Sequence, residues 1–143
     1  MQLQFYSLPF AIEQIMRKQE LPKCSLNQSV IQNLHLLTTT AFGEFPADDQ
    51  FGCSIWDHDF DIVTSAHKLK ELIRQSLLQS VQEQEQRLSN VRVEVLMKQE
   101  DVPIGDKGRR VKKKIDITIT GILKLTNERF AFRDSFFVGP LSY

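Results

Sequence analysis

Apolar side chains recur at two different periods along the 143-residue chain, first helical and then alternating. Pro9 suits a first helical position, because the N–H it lacks would be unpaired there anyway. Ile12, Ile15 and Met16 follow at helical spacing, with Arg17 and Lys18 near the end that favours cations. A short helix is predicted over 9–19, ended by Leu21-Pro22. Ser25 and Gln28 have capping-box spacing. Leu26, Val30, Ile31, Leu34 and Leu37 then lie on one face of a second helix. The β-branched run Thr38-Thr39-Thr40 predicts fraying into an extended piece. A long helix over 65–87 carries the stripe Leu69, Leu72, Ile73, Leu77, Val81 and Leu88, with Ser65 as its N-cap.

The period then becomes two. Val91, Val93, Val95 and Met97 alternate with Arg92, Glu94 and Lys98. Val111, Ile115, Ile117, Ile119, Leu123 and Leu125 share odd parity, and Phe130, Phe132, Phe136 and Val138 share even parity. Three strands, each with one buried face, are predicted. Pro103, Gly105 and Gly108 place a long turn between the first two, and Thr126-Asn127-Glu128 a tight one between the last two. The expected class is α+β: N-terminal helices and one long helix packed on an antiparallel β-meander. One domain spans 1–143, with 1–24 as an N-terminal helical extension.

Residues 41–64 break both periods. They hold Phe42, Gly43-Glu44-Phe45, Phe51-Gly52 and the run Ile55 to Asp61. A connection this long is more often an ordered functional loop than a spacer. Trp56, Phe60 and Ile62 are expected to tuck it onto the core.

Composition narrows the chemistry. The chain is 41% hydrophobic and its eighteen basic and eighteen acidic residues cancel. No nucleic-acid partner and no membrane insertion are expected from that balance, and no apolar run approaches the ~20 residues of a span. No secretory signal is read at the N-terminus. Cys24 and Cys53 read as two reduced thiols in a cytoplasmic protein. Asp57-x-Asp59-x-Asp61 has the first offsets of a calcium loop, but Ile62 and Lys68 stand where Gly and Glu are required. His35, His58 and His67 lack zinc spacing. No metal, cofactor or small-molecule ligand is expected. The cluster Arg109, Arg110, Lys112, Lys113 and Lys114 reads as a solvated hairpin tip whose lysines blunt an edge strand, with an acidic protein partner left open.

Glu85-Gln86-Arg87 closes the long helix. An acid and an arginine two apart do not face each other on a helix, so each is expected to find its own partner, in the domain or on another chain. Arg87 suits the helix C-terminus; Glu85 is badly placed there and falls at the margin of the buried stripe.

The stretch Glu85-Gln86-Arg87-Leu88-Ser89-Asn90-Val91-Arg92-Val93 resembles the Glu-Pro-Arg signature of the lysozyme-like baseplate wedge family. That family includes phage contractile-tail wedge proteins and the TssE component of type VI secretion baseplates. Leu34, Leu36, Leu37, Thr38-Thr39 and Gly43-Glu44 resemble its helix end and following Gly-Glu. Phe51-Gly52 resembles its aromatic-Gly before the long helix, and Phe136 to Leu141 the closing strand of some members. The likeness covers roughly 25–140. Gln86 departs from the family Pro, and Phe45 from an Arg that usually follows Gly-Glu.

The resemblance implies a structural protein, not an enzyme, with no catalytic residue. It implies docking through Glu85, Gln86 and Arg87 onto the larger baseplate wedge subunits, and templating of contractile sheath subunits by strand pairing. The rival is a lysozyme-like glycoside hydrolase acting on peptidoglycan. It requires two carboxylates about 5–9.5 Å apart, with Glu85 as the acid and Glu83 or Glu94 as weak choices for its partner. A free-standing adaptor is the third alternative.

Overall fold

The computed structural model describes residues 4–9, 12–20, 23–57, 66–105 and 108–138. The chain order is β1 (Phe5–Tyr6), α1 (Ile12–Met16), β2 (Lys23–Cys24), α2 (Leu26–Thr39), a 3₁₀ turn (Ser54–Asp57), α3 (Ala66–Gln84), β3 (Leu88–Ile104), β4 (Gly108–Leu123) and β5 (Arg129–Val138). The expected α+β class is what forms. The strands β3-β4-β5 make an antiparallel meander, and β1 pairs with β2 as a separate two-stranded piece.

Local chemistry sets the start of α2. Ser25 is extended, its side chain accepts from the Gln28 N–H, and the Gln28 side chain accepts from the Ser25 N–H. This reciprocal cap satisfies two donors that the helix cannot, and is worth about 1 kcal/mol. The threonine run does not unravel the helix. Thr38 and Thr39 stay helical and only Thr40 is extended. The hydroxyls of Thr38 and Thr39 donate to the His35 carbonyl, and that of Thr40 to the Leu36 carbonyl, so the side chains bond back onto the last turn of the helix.

The core lies between the two long helices and one face of the sheet. Val30, Leu34 and Leu37 of α2 and Leu69, Ile73, Leu77 and Val81 of α3 are buried against Val93, Val95, Ile115, Ile117, Ile119, Leu123, Phe130 and Phe132. Each such burial contributes about 1.5–3 kcal/mol. Seven helical side chains therefore outweigh any cap in fixing where the helices sit. Leu72 departs from its predicted place: it is exposed, because it lies off the Leu69–Ile73–Leu77 line that meets the sheet. His35 Nδ1 contacts Asp134 Oδ2 at 2.8 Å and ties α2 to β5.

The strand parity holds, with two corrections. Leu125 lies in the turn after β4 and is exposed, since the Leu123 N–H bonds the Glu128 carbonyl and the Asn127 N–H bonds the Leu123 carbonyl. Asn127 takes a positive φ, which asparagine tolerates. The long turn expected at Pro103 to Gly108 is instead short, because Pro103 pairs with Arg109 and Ile104 with Gly108. The basic cluster lies on β4, the central strand: Lys113 and Lys114 are paired on both sides, while Arg109, Arg110 and Lys112 pair with β3 alone among the described residues.

The N-terminal helix is shorter than 9–19 and is flanked by β1 and β2. The described part of the loop after α2 is held by turns and by the burial of Cys53 and Ile55. Ile55 tucks this stretch onto the core, and the side chain of Trp56 lies outside the described residues. Phe60, Ile62, the Ser65 cap, the stop at Leu21-Pro22 and the Gly139-Pro140-Leu141 ending lie outside the described residues.

Candidate functional site

The site is the turn that carries the chain from α3 into β3. The Glu85 N–H closes the helix on the Val81 carbonyl at 2.8 Å. The helix ends at Gln84, so Glu85 and Arg87 no longer obey helical spacing. This corrects the expectation that each finds a separate partner. Arg87 grips Glu85 with a fork: Nε donates to Oε1 at 2.7 Å and Nη2 to Oε2 at 2.8 Å. The Arg87 backbone N–H adds a bond to Oε1 at 3.1 Å. Asn33 Nδ2 of α2 donates to Oε2 at 2.8 Å.

Four donors therefore converge on a carboxylate that offers about four lone pairs. Glu85 is only 2% exposed. Burial is the largest influence on it and pushes its pKa up. The hydrogen bonds from Arg87 and Asn33, with the charge of Arg87, outweigh that and hold the carboxyl below its ordinary range. Hydrogen bonding to Glu85 likewise raises the pKa of Arg87. A carboxyl with a depressed folded pKa stabilises fully above its unfolded pKa of about 4.3, and that contribution is lost as pH falls through the folded value. The stability of the native chain should therefore fall more steeply below about pH 4.3 than that of Glu85→Gln, as read by urea unfolding across an acid series.

Arg87 is the hub. Its Nη1 donates to Ser29 Oγ at 2.8 Å, its carbonyl accepts from the Lys124 N–H at 2.9 Å, and its Cζ lies 5.2 Å from the Phe5 ring centre. Ser29 and Asn33 are four apart on α2 and share a face. One side chain thus joins β1, α2 and the α3–β3 turn. Sequence reasoning missed Ser29, Asn33 and Phe5; the polar pair bordering the Val30–Leu34 stripe was the available signal.

Gln86 stands in the turn with its side chain exposed. It borders an apolar groove of about 400 Å³ lined by Phe5, Leu26, Gln86, Arg87, Lys124 and Leu125. A second, polar groove of about 470 Å³ runs between the loop and α3, and Asp49 and Glu83 both line it. Glu94 is exposed on β3, whose alternate residues Val93 and Val95 are the ones buried against α3. It therefore cannot serve as Glu85's catalytic partner. Among the described residues no cluster of three His, Cys, Asp or Glu could hold a metal ion, and no helix is long and apolar enough to cross a membrane. Asp59, Asp61 and His58 lie outside the described residues. Cys24 and Cys53 are buried and are not joined in a disulfide.

The model of the family of baseplate wedge protein gp25 matches residues 24–128. The chain belongs to that family. The matched span holds α2, α3, β3, β4 and the Glu85–Arg87 turn, whereas Phe5 lies outside it. The fold is also similar to the crystal structure of a candidate tail lysozyme from Geobacter sulfurreducens, with a TM-score of 0.59 and 21% identity over 86% of this chain and 100% of that one. At that identity the likeness is one of fold. No curated protein matches the chain significantly.

Proposed function

We propose that this baseplate wedge family member is a structural, cytoplasmic subunit of a contractile injection machine, either a type VI secretion baseplate or a phage-tail-like one. It docks on the larger wedge subunits through the turn at Glu85, Gln86 and Arg87. The observation that carries this reading is the division of labour within that turn. Glu85 is consumed internally and sets the geometry, so Gln86 and the exposed flank of Arg87 are left to meet a partner over the Leu26–Leu125 groove. Three of the five guanidinium N–H groups are used among the described residues, which leaves two able to donate to a partner carbonyl or carboxylate.

The meander suits the second task, templating sheath subunits. Among the described residues β3 and β5 each pair only with β4, so an incoming strand can add its main-chain hydrogen bonds at an outer strand.

Docking is tested by pull-down of the purified larger wedge subunits. Gln86→Ala combined with Leu125→Asp is expected to weaken capture by about tenfold or more, while the melting temperature stays near that of the native chain. Unchanged capture would remove the groove from the interface. No capture by the native chain would favour a free-standing adaptor.

One observation favours the hydrolase reading: Asp49 and Glu83 share a polar groove. Both stand exposed, without the apolar surround that a glycosidase's proton donor needs. Glu85, the acid expected from sequence, is saturated and held ionised, so it has no proton to give at neutral pH. Peptidoglycan turnover by the native chain that vanishes in Glu83→Gln would establish the enzyme; no turnover is expected.

A further inference from the structure

The zero net charge conceals a segregation. Residues 1–87 carry eleven acidic and seven basic side chains, and residues 88–143 carry seven acidic and eleven basic ones. The excess of cations is not spread evenly over the meander. One face of the sheet is covered by the helices, and the other presents Arg92, Glu94, Leu96 and Lys98 of β3 and Arg129, Ala131, Arg133, Ser135 and Phe137 of β5, all exposed. Between them β4 presents Lys114, Asp116, Thr118, Thr120 and Ile122.

Toward Phe137 the charges on this face are matched. Asp116 accepts from Ser135 Oγ at 2.6 Å and lies 3.8 Å from Lys98 Nζ and 3.9 Å from Lys114 Nζ. At the other end they are not. Arg92, Arg129 and Arg133 form no ion pair among the described residues. The register sets Arg92 opposite Thr120, which in turn pairs with Ala131, between Arg129 and Arg133 on the far strand. The arginines therefore border a floor of Thr118, Thr120 and Ala131, with Glu94 at its fourth corner, across Thr118 from Arg133, so that three cations face one carboxylate. They are two strand spacings apart across the sheet, about 9.5 Å, and four residues apart along β5, about 13 Å.

A β-bulge shapes this end. Asn90 and Val91 oppose the single residue Gly121, and Asn90 takes a positive φ. A Cβ at Gly121 would meet the Ser89 carbonyl oxygen at 3.0 Å, so the two strands approach closely here and a side chain would press on the Ser89 backbone. The result is a groove of about 580 Å³ whose lining includes Arg92, Gly121, Ile122, Arg129 and Ala131.

We infer that this bare sheet face docks an acidic protein surface, with carboxylates spaced about 10–13 Å apart seated on the forks of Arg92, Arg129 and Arg133. Charge complementarity selects the occupant. Three guanidinium groups without carboxylates of their own recognise planar anions in pairs of hydrogen bonds, and the threonine hydroxyls between them add donors. The groove on this face shares no lining residue with the Gln86–Leu125 groove.

The test uses the intact chain and three fluorescent probes: an oligoglutamate peptide, an oligolysine peptide and an oligodeoxythymidine. Anisotropy is followed at low and at physiological salt. Oligoglutamate is expected to bind, and the combined Arg92→Gln, Arg129→Gln and Arg133→Gln variant to bind it about tenfold or more weakly. A control with Arg17→Gln, Lys18→Gln and Lys23→Gln, on the acidic half, is expected to bind as the native chain does. Amide NMR shifts on titration should centre on Thr118, Thr120 and Ala131. The inference falls if the triple arginine variant binds oligoglutamate as well as the native chain, if the control loses as much, or if oligodeoxythymidine binds more tightly than oligoglutamate. The last outcome would make the face a nucleic-acid surface.

Discussion

Replacing Arg87 by alanine is expected to lower the unfolding free energy by about 3–5 kcal/mol, a large part of the 5–15 kcal/mol that such domains possess. The cost comes less from the lost attraction than from what stays behind. Glu85 is 2% exposed, and three of its four donors belong to Arg87, one of them the backbone N–H that alanine retains. Without the guanidinium the carboxylate keeps that N–H and Asn33, and its charge is buried without a counter-ion. Arg87→Lys should recover only part of the loss, since an ammonium cannot reproduce the fork. A double variant, Glu85→Met with Arg87→Met, should be more stable than Arg87→Ala, because no buried charge then lacks a partner. Urea unfolding of the four proteins measures all three differences. If Arg87→Ala unfolds within about 1 kcal/mol of the native chain, the pair behaves as a surface ion pair and the clamp is not what holds the turn.

The same arithmetic governs how binding experiments on this turn are read. Loss of partner capture by Glu85→Ala or Arg87→Ala follows equally from unfolding and from a lost contact. Gln86 and Leu125 avoid that ambiguity, since both are exposed and neither is part of the clamp. Docking is therefore assigned through them, and the clamp through stability.

What could be read in the sequence is what depends on near neighbours. The Ser25–Gln28 box and the alternation through Val93, Val95, Ile115, Ile117 and Ile119 each need only a few consecutive residues, and both appear in the fold. The site needs more. The rule that i and i+2 do not meet is sound inside a helix, but α3 stops one residue before Glu85, and a helix end cannot be placed to one residue from its pattern. Asn33 and Ser29 reach the turn from more than fifty residues away, and Phe5 from over eighty, so no local spacing announces them. The extended β3–β4 arms were hidden for another reason. Around Gln99 to Asp101 and Arg109 to Lys113 the apolar alternation weakens, and the register brings just one acid opposite a base there, Glu100 and Lys112.

Gly52→Ala is the second large effect, and it explains why an aromatic-Gly pair precedes the long helix. Gly52 has φ +131°, a backbone conformation that side-chain-bearing residues rarely adopt. A Cβ there would lie 2.5 Å from the Thr40 carbonyl oxygen and 3.0 Å from the backbone of Ala41. Those atoms cannot yield cheaply. The Thr40 carbonyl accepts from the Cys53 N–H at 2.9 Å, Ala41 and Cys53 form a parallel bridge, and Glu44 Oε2 accepts from the Ala41 N–H at 2.8 Å. Alanine must therefore either strain the backbone or break the join between the end of α2 and the loop. The expected cost is on the order of 2–3 kcal/mol. Most of it should appear as local opening, because α3 and the sheet keep their own core. Cys53 gives the readout. Its thiol is fully buried and donates to the Thr38 carbonyl at 3.3 Å, so it should resist a thiol reagent in the native chain. In Gly52→Ala, carrying Cys24→Ser so that one thiol reports, labelling should accelerate by about tenfold or more at temperatures well below the melting transition. Equal labelling rates with a lowered melting temperature would mean that the loop and the core unfold together, and that Gly52 secures the whole domain instead of one join.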